Sequence, residues 1–262
     1  MAKKMNNLSG KEWLQYSFSI WRDIRKNSEE IKLKHPAMFP IQLADKLIRI
    51  YTKEEGEVIL DPFVGIGSTI VAAQNLNRKG IGVELSKEYV SKIKNRLKQT
   101  KLLPNEFKPV IIEGDSREKL KEIEDESVDL CITSPPYWDI LNQKRTADLK
   151  EIVSYSDSDI DLGNIEDYNQ FFEGLKEIFK EVYRTLKQNK RCCVVVMDVR
   201  KKDKFFPLHI DLTRIMREIG FELEDFIIWD RQHEYNNMRP LGYPWVFRVN
   251  KVHEFICIYW KR

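Results

Sequence analysis

The chain has 262 residues, of which 42% are hydrophobic and 32% charged, a balance typical of a soluble globular protein that buries a substantial core. Its formal net charge of +3 does not by itself indicate a nucleic-acid partner. No apolar run approaches the roughly 20 residues that span a bilayer, no signal peptide is visible, and the four cysteines lack CxxC spacing, so we expect a cytoplasmic protein without a membrane span, zinc site or disulfide framework.

The predicted elements begin with a basic, helical N-terminal extension at residues 1–34. In it eight Lys and Arg residues outnumber four acids. The tail after Asp230 is basic as well, whereas the stretch 156–167 is acidic. A basic surface formed by the two ends is one interpretation, and ordinary solvated lysines are the other. We predict one domain over residues 1–262.

Strand-like and helix-like segments alternate through the rest of the chain. Seven apolar, often β-branched runs predict strands at 57–61, 79–84, 109–114, 128–133, 192–198, 224–229 and 254–260. Helical periodicity lies between most of them, at 68–77, 86–99, 165–187 and 208–220. This alternation predicts an α/β fold, a doubly wound and mostly parallel sheet with helices on both faces. Because the loop 230–253 contains no convincing helix, the last strand is expected to be antiparallel. Ligands of such sheets bind beyond the carboxyl ends of the strands.

The first predicted strand ends in the glycine-rich stretch DPFVGIGST, residues 61–69. Gly65 and Gly67 permit a tight turn and a close backbone approach, and Ser68 and Thr69 can cap the following helix. The stretch has neither the lysine of a P-loop nor a complete GxGxxG, so it does not favour a phosphate ligand. Asp61 instead suits a cationic or ammonium-bearing ligand.

Acidic residues also end the second and third predicted strands. Glu84 follows the glycine turn by about 20 residues, which is the position of the carboxylate that binds ribose hydroxyls in dinucleotide-type folds. Asp115 can accept from the exocyclic amine of an adenine, or it can simply cap a helix. Three acids at successive strand ends suit a nucleoside carrying an amino-acid tail better than a pyrophosphate.

The fourth predicted strand runs into TSPPY, residues 133–137, which we call the proline corner. Its two prolines fix φ and donate no hydrogen bond, so the backbone is rigid and its carbonyls are free to accept. Tyr137 offers a flat face on which a base can stack, and Ser134 offers a hydroxyl that donates or accepts. An ordinary loop start is the alternative interpretation.

These motifs resemble the amino-methyltransferases that modify exocyclic amines of DNA bases. TSPPY resembles their catalytic motif and DPFVGIGST their cofactor motif. HPAMFPIQLADKLI (35–48) resembles their accessory cofactor segment, and GKEWLQYSFSIW (10–21) the stretch that often precedes it. The resemblance covers nearly the whole chain. It implies the Rossmann-like fold of class I methyltransferases, with a seven-stranded, mostly parallel sheet and an antiparallel last strand.

The resemblance also implies the cofactor and its contacts. The cofactor would be S-adenosylmethionine, leaving as S-adenosylhomocysteine, with Glu84 on its ribose and Asp115 on its adenine. Its methionine side would lie on Asp61, Phe63, Gly65, Gly67, Ser68 and Thr69, and the cover over it would come from His35, Pro36, Phe39 and Pro40. No metal is expected, because the His-Glu pairs at 233–234 and 253–254 do not form HExxH.

The catalytic residues implied by the resemblance are Ser134, Pro135, Pro136 and Tyr137. In this family SPPY is typical of cytosine-N4 enzymes and DPPY of adenine-N6 enzymes, so we predict cytosine, with adenine as the alternative. The Pro135 carbonyl or the Ser134 oxygen would accept from the amino group of a flipped base, on which Tyr137 and Trp138 would stack. Direct transfer at roughly 3 Å needs no covalent intermediate, so Cys131 is expected to be a core residue.

The chain departs from the family pattern in two respects. Its cofactor motif precedes its catalytic motif, the reverse of many SPPY enzymes, and we expect the same folded site because both motifs end adjacent strands. No separate target-recognition domain is predicted, so recognition would come from loops 138–164, 199–207 and 230–253. The DNA-contacting candidates are Trp138, Arg231, Arg239, Tyr243, Trp245 and Arg248, although a plain exposed loop is the alternative for 230–253.

Other classes remain open at this level. RNA and protein-glutamine methyltransferases use a similar corner, usually beginning with Asn or Asp. A non-catalytic nucleic-acid-binding protein should have lost a strand-end acid or the proline corner, and none is lost here. Dimerisation is a habit of the family, and a cognate restriction endonuclease is a further partner that the resemblance leaves open. The DNA recognition sequence and the preference for single or double strands are not readable.

Overall fold

The computed structural model describes residues 4–33, 38–99, 107–139, 160–235 and 240–262. Strands occur at β1 (Ile20–Trp21), β2 (Val58–Asp61), β3 (Lys79–Glu84), β4 (Val110–Glu113), β5 (Val128–Thr133), β6 (Leu186–Val196), β7 (Val199–Lys201), β8 (Lys204–Phe206), β9 (Glu222–Asp230) and β10 (His253–Trp260). Helices occur at α1 (Gly10–Tyr16), α2 (Ser28–Lys32), α3 (Ile41–Tyr51), α4 (Ser68–Asn75), α5 (Lys87–Gln99), α6 (Ser116–Lys119), α7 (Tyr168–Thr185) and α8 (Leu208–Ile219).

The large sheet has the spatial order β1-β9-β10-β6-β5-β2-β3-β4. Strands β2 to β6 are mutually parallel where they pair, and β10 lies antiparallel between β6 and β9. The predicted mostly parallel sheet with an antiparallel last strand is therefore confirmed. Strands β2 and β5, at whose last residues the two sequence motifs begin, are neighbours at the centre of this sheet.

The predicted strand count of seven is wrong, because the described sheet has eight strands. The additional strand is β1, in which Ile20 pairs with Ile228 and the buried Trp21 with Trp229. Two residues are too short to produce the alternating pattern from which strands are predicted. The N-terminal extension thus contributes an edge strand as well as helices α1 and α2.

Two further elements escaped the sequence pattern. Strand β6 begins at Leu186, whereas the sequence predicted a start at residue 192. The prediction missed the first six residues, LKQNKR, because they are mostly polar and do not resemble a buried strand. The predicted recognition loop 199–207 contains a small antiparallel hairpin of β7 and β8. That hairpin rises directly from the end of β6.

Helices cover both faces of the sheet, as predicted. On one face α3 and α4 pack with the sheet through Leu43, Leu47 and Ala72. On the other face α7 and α8 pack through residues such as Phe171 and Leu212. Helix α7 begins where Asp167 accepts from the Gln170 amide at 2.8 Å, and its apolar residues recur at helical spacing. The strand ends between these layers are held in fixed positions.

Strand β5 is buried along its whole length, as expected for the centre of a parallel sheet covered on both faces. Cys131 lies inside it, and burial raises the pKa of its thiol. The prediction that Cys131 is a core residue is confirmed. Across the part of the chain that the structure describes, no helix has the length and apolarity to cross a membrane.

Candidate active site

The carboxyl ends of β2 and β5 are joined by the buried carboxylate of Asp61. Oδ1 accepts from the Thr133 hydroxyl at 2.7 Å and from the Phe63 amide at 3.0 Å, and Oδ2 accepts from the Thr69 hydroxyl at 2.6 Å. Burial raises the pKa of Asp61 to about 6, although these donors oppose the rise. The cofactor-like and catalytic motifs therefore end adjacent strands, as expected despite their reversed order in the chain.

The turn after β2 needs its glycines. Gly65 has φ of 55° and Gly67 has φ of 84°, both in the left-handed region that side chains rarely adopt. A Cβ at Gly67 would lie 3.1 Å from Cγ2 of Ile93 on α5. The next residue, Ser68, is buried, and its Oγ has no hydrogen-bond partner among the described residues. The turn therefore has little room for a side chain at Gly67, and it carries one buried polar atom, Ser68 Oγ, without a hydrogen bond among the described residues.

Glu84 at the end of β3 is held by backbone donors. Its Oε2 accepts from the Gly65 amide at 2.9 Å, and its Oε1 accepts from the Ser86 amide at 2.8 Å. Burial raises the pKa of Glu84 to about 7. Each oxygen has a second lone pair, so the fixed carboxylate can still accept from two ligand hydroxyls.

Asp115 has the structural role that the sequence left as an alternative. It is the N-cap of α6, where it accepts from the Arg117 amide at 2.9 Å. The Arg117 guanidinium also donates to it, at 2.9 Å from Nε and 2.6 Å from Nη2 to Oδ2. Asp115 lies next to Gly114, whose amide donates to the Glu84 carbonyl at 2.9 Å. A contact of Asp115 with an adenine remains a prediction.

The proline corner carries a chain of polar contacts. Ser134 Oγ lies 3.0 Å from the Tyr137 hydroxyl, and that hydroxyl donates to Glu254 Oε2 at 2.7 Å. Burial raises the pKa of the Tyr137 hydroxyl well above its usual value. Pro135 is buried, and among the described residues no group donates to its carbonyl. Ser134 and Tyr137 are partly exposed, so the corner presents polar atoms on a rigid backbone.

Comparison with known proteins identifies the family of the chain. The family model described as DNA methylase, for N6 and N4 enzymes, matches residues 2–95 and 128–262. The chain belongs to this family of DNA amino-methyltransferases.

Curated relatives match this methylase over parts of their length. Type II methyltransferase M.BglII from Bacillus subtilis is 37% identical over 89 residues, 33% of this chain and 24% of that protein. Type II methyltransferase M.MjaI from Methanocaldococcus jannaschii is 32% identical over 135 residues, 46% of this chain and 44% of that protein. The chain therefore spans less than half the length of these relatives.

Solved structures resemble the methylase in fold. TrmN from Thermus thermophilus has a TM-score of 0.55 at 14% identity, covering 88% of this chain and 51% of that one. Precorrin-6y C5,15-methyltransferase from Geobacter metallireducens GS-15 has a TM-score of 0.50 at 14% identity, covering 92% and 94%. The predicted Rossmann-like methyltransferase fold is confirmed, with eight strands in place of seven.

Trp138 is packed inside the protein, whereas the sequence analysis expected its side chain to stack on a flipped base. Its backbone is left-handed, with φ of 58°, and its side chain is only 6% exposed. The indole Nε1 donates to the Glu166 carbonyl at 3.2 Å, and the ring lies 5.0 Å from Tyr168 and 4.8 Å from Phe206 between centroids. A ring enclosed by these partners is not available to stack on a base. Its place is in the packing beneath the β7–β8 hairpin.

Arg231 was predicted to contact DNA, but the methylase uses it internally. Its Nη1 contacts Glu254 Oε1, and its Nη2 lies 2.6 Å from Glu234 Oε2. Its guanidinium carbon also lies 4.8 Å from the Trp229 ring centroid and 5.6 Å from that of Tyr235. Both Nη groups of Arg231 are directed at carboxylates and its Nε is buried, so the side chain is not free to bind a phosphate.

The remaining predicted residues divide into three groups. Tyr243 and Trp245 are 78% and 91% exposed, and Arg248 Nη1 donates to the Lys202 carbonyl at 2.7 Å. Phe39 is buried against the sheet, and Pro40 is the N-cap of α3. The predictions for His35, Pro36 and Arg239 fall on positions outside the described residues.

Thr133 and Glu30 also help to hold the site in place, and the sequence predicted neither role. Thr133 was treated only as the end of a strand, although its hydroxyl reaches Asp61. Glu30 is buried, accepts from the Ile41 amide at 2.7 Å and lies 3.6 Å from Arg96, which in turn donates to the Ile66 carbonyl at 3.0 Å. This connection runs from the N-terminal extension to the glycine turn, and no local motif signals it.

Proposed function

We propose that this methylase transfers a methyl group from S-adenosylmethionine to the exocyclic amino nitrogen of a DNA base, with N4 of cytosine as the target. The observation that carries the proposal is the Asp61 carboxylate, which accepts from Thr69 of the glycine turn and from Thr133 of the proline corner. It holds a nucleoside-type pocket and an amine-accepting corner side by side at one sheet edge. Such a juxtaposition serves transfer between a bound cofactor and a bound base.

The residues around the glycine turn fit this cofactor. Glu84 is oriented by two backbone donors and has lone pairs left for ribose hydroxyls. The left-handed glycines allow the backbone to approach the ligand, and the unsatisfied Ser68 hydroxyl offers a further polar contact. When bound, the sulfonium supplies an electrophilic methyl group. The chain has only to bind, orient and exclude water.

The proline corner would act on the amino group of the target. That nitrogen is a poor nucleophile because its lone pair is conjugated with the ring. An acceptor on its N–H, from the Pro135 carbonyl or Ser134 Oγ, draws the nitrogen toward sp³ geometry and localises the lone pair. Transfer would form the nitrogen–carbon bond as the carbon–sulfur bond breaks, and the amino nitrogen would give up one proton, which reaches bulk solvent once the site opens. Holding both reactants in line supplies about 7–11 kcal/mol of the barrier reduction.

A surface near the corner suits DNA. We define the basic-aromatic surface as the hairpin 199–206 together with residues 240–251. The two parts contact each other where Arg248 Nη1 meets the Lys202 carbonyl and where the Lys251 ammonium lies 4.8 Å from the Phe205 ring centroid. Lys201 connects the surface to the residues that follow the corner, since its Nζ lies 2.6 Å from Asp139. Basic groups attract the phosphate backbone, and exposed aromatic rings stack on bases.

Nucleoside analysis tests this function. The protein is incubated with methyl-labelled S-adenosylmethionine and either DNA or RNA, and the polymer is digested to nucleosides. We expect label in N4-methylcytosine from DNA. Label in N6-methyladenine from DNA would replace cytosine by adenine as the target, and label confined to RNA or protein would overturn the proposal. The Tyr137→Ala variant, assayed in parallel, controls for contaminating methylases.

A further inference from the structure

Glu254 is a buried acid whose place in the site the sequence does not reveal. It is 3% exposed and lies near the start of β10. Because β10 is antiparallel to β6, its start lies at the same sheet edge as the carboxyl ends of the parallel strands. Glu254 therefore reaches the proline corner, although 117 residues separate it from Tyr137 along the chain.

The chemistry of the acceptor fixes the direction of the hydrogen bonds at the corner. A carboxylate accepts and does not donate, so the proton of the Tyr137 hydroxyl is directed to Glu254 Oε2, 2.7 Å away. The Ser134–Tyr137 contact at 3.0 Å then has Ser134 as its donor. With its only proton used in this way, Ser134 Oγ presents lone pairs, and no donor, to a ligand at the corner.

Arg231 holds Glu254 in this arrangement. It contacts Glu254 Oε1, so the two oxygens of the carboxylate have different partners and the side chain cannot rotate without losing both. Arg231 is itself placed by Glu234 at 2.6 Å and by the ring of Trp229. A buried carboxylate requires such compensation, since an unpaired charge inside a protein is costly.

We propose that Glu254, supported by Arg231, is a positioning residue that acts through Tyr137 to keep Ser134 an acceptor for the amino group of the target base. The proposal rests on the function proposed above and extends it to residues outside the family motifs. Ser134 is the catalytic residue, because it would touch the substrate. Glu254 and Arg231 act through the two hydroxyls, and removing Glu254 would let the Ser134 proton turn toward the substrate.

A double-mutant cycle tests the relay. Glu254→Gln, Tyr137→Phe and the double variant are compared with the wild type in single-turnover methyl transfer to DNA, with cofactor and DNA dissociation constants measured separately. Each single variant is expected to lose about 10- to 100-fold in rate, the range set by a hydrogen bond to a charged group, with both dissociation constants within twofold of wild type. The double variant should be no slower than the slower single variant, because Glu254 acts only through the Tyr137 hydroxyl.

Glu224→Gln is the matched control. Glu224 is also a carboxylate paired with an arginine, Arg191 Nη2 at 2.7 Å, but it contacts none of Tyr137, Glu254 and Arg231 among the described residues, so its transfer rate should stay within twofold of wild type. Thermal melting of every variant shows whether a lower transfer rate results from unfolding. If Glu254→Gln folds poorly, Tyr137→Phe tests the same hydrogen bond from its other partner.

The outcomes separate this inference from the proposed function. If the rate losses of the two single variants multiply in the double variant, or if Glu254→Gln has a normal rate, the relay is overturned. Neither result would contradict the proposed DNA methylation. A wild-type protein that labels no DNA would overturn both. Non-additive losses with unchanged dissociation constants support the relay, because an acid that merely supported β10 would give independent effects.

Discussion

The two regions that face the proposed substrates are built in opposite ways. At the carboxyl ends of β2 and β5, polar groups are buried and their hydrogen bonds are directed inward, as at Asp61 with Thr69 and Thr133. In the 240–251 part of the basic-aromatic surface, Trp245 and Phe247 are 91% and 92% exposed. A rigid site suits chemistry that needs fixed distances, whereas exposed rings and cations suit a long polymer whose affinity is spread over many contacts.

The largest effect is expected when the acceptor at the rigid corner is removed. Ser134→Ala should reduce methyl transfer by at least about 100-fold, since it removes the hydroxyl proposed to accept from the reacting amino group. Cofactor affinity should stay within twofold of wild type, because Ser134 follows β5 and is not part of the glycine turn. Single-turnover transfer and equilibrium binding of S-adenosylmethionine measure the two effects.

Cys131→Ala provides the control for that experiment. Cys131 is buried two residues before Thr133 on the same strand, so the variant perturbs the core near the corner without removing a polar group from it. Transfer should be largely retained, with some loss of thermal stability from the cavity. Equal losses of transfer in both variants would mean that the corner responds to packing and not to the Ser134 hydroxyl.

Buried acids at the strand ends also predict how stability depends on pH. The pKa of Glu84 is raised to about 7 from 4.5, so between these values the folded protein retains a proton that the unfolded chain has released. Stability should therefore fall as pH rises from 4.5 to 7, and should not change further on this account above 7. Asp61 adds a fall of the same sign between 3.8 and about 6.

Glu84→Gln isolates one of these contributions. The variant cannot titrate, so its loss of stability between pH 4.5 and 7 should be smaller than that of the wild type by up to about 3 kcal/mol. Urea denaturation at a series of pH values gives the two slopes. Parallel curves for wild type and variant would contradict the raised pKa of Glu84. The slope is the informative quantity, since the amide also disturbs the hydrogen bonds from Gly65 and Ser86.

The glycine turn tests whether the rigid region depends on its backbone. Gly67→Ala places a Cβ at φ of 84° and 3.1 Å from Ile93, so we expect a loss of about 1–3 kcal/mol in unfolding free energy and weaker cofactor binding. Gly10→Ala is the matched control, because nothing lies within 4 Å of a Cβ there. Denaturant unfolding of both variants compares them. Equal stabilities would show that the turn tolerates a side chain.

The sequence predicts the strand ends well and the long-range contacts around them poorly, for a physical reason. Strand ends such as Asp61 and Glu84 follow from the alternation of apolar runs and from local motifs, which the chain displays within a few residues. The DNA contacts predicted for Trp138 and Arg231 did not take into account one partner of each that is distant in sequence, Phe206 for Trp138 and Glu254 for Arg231. The packing of Trp138 on Phe206 and the pairing of Arg231 with Glu254 exist only after folding.

Short elements define a second limit of prediction. Strand β1 has two residues and owes its place to pairing with β9, which no local pattern records. The acid of the His-Glu pair at 253–254 was considered only as part of a metal motif, although it contacts Tyr137. The sequence shows that residue 254 is an acid, but its position at the proline corner follows only from the antiparallel direction of β10.

The salt dependence of DNA affinity tests the basic-aromatic surface, where the smallest effects are expected. Lys251→Ala should weaken DNA binding several-fold at low salt and reduce the slope of log affinity against log salt by about 1, because one phosphate contact is lost. Trp245→Ala should weaken binding by a similar factor while leaving that slope unchanged, since stacking releases no counterions. Neither variant should alter cofactor affinity or thermal stability, because Trp245 is exposed and Lys251 lies outside the β-strands. Fluorescence anisotropy of a labelled duplex at several salt concentrations measures both effects. If the two slopes change equally, the cations and rings of the basic-aromatic surface do not have the separate roles assigned to them.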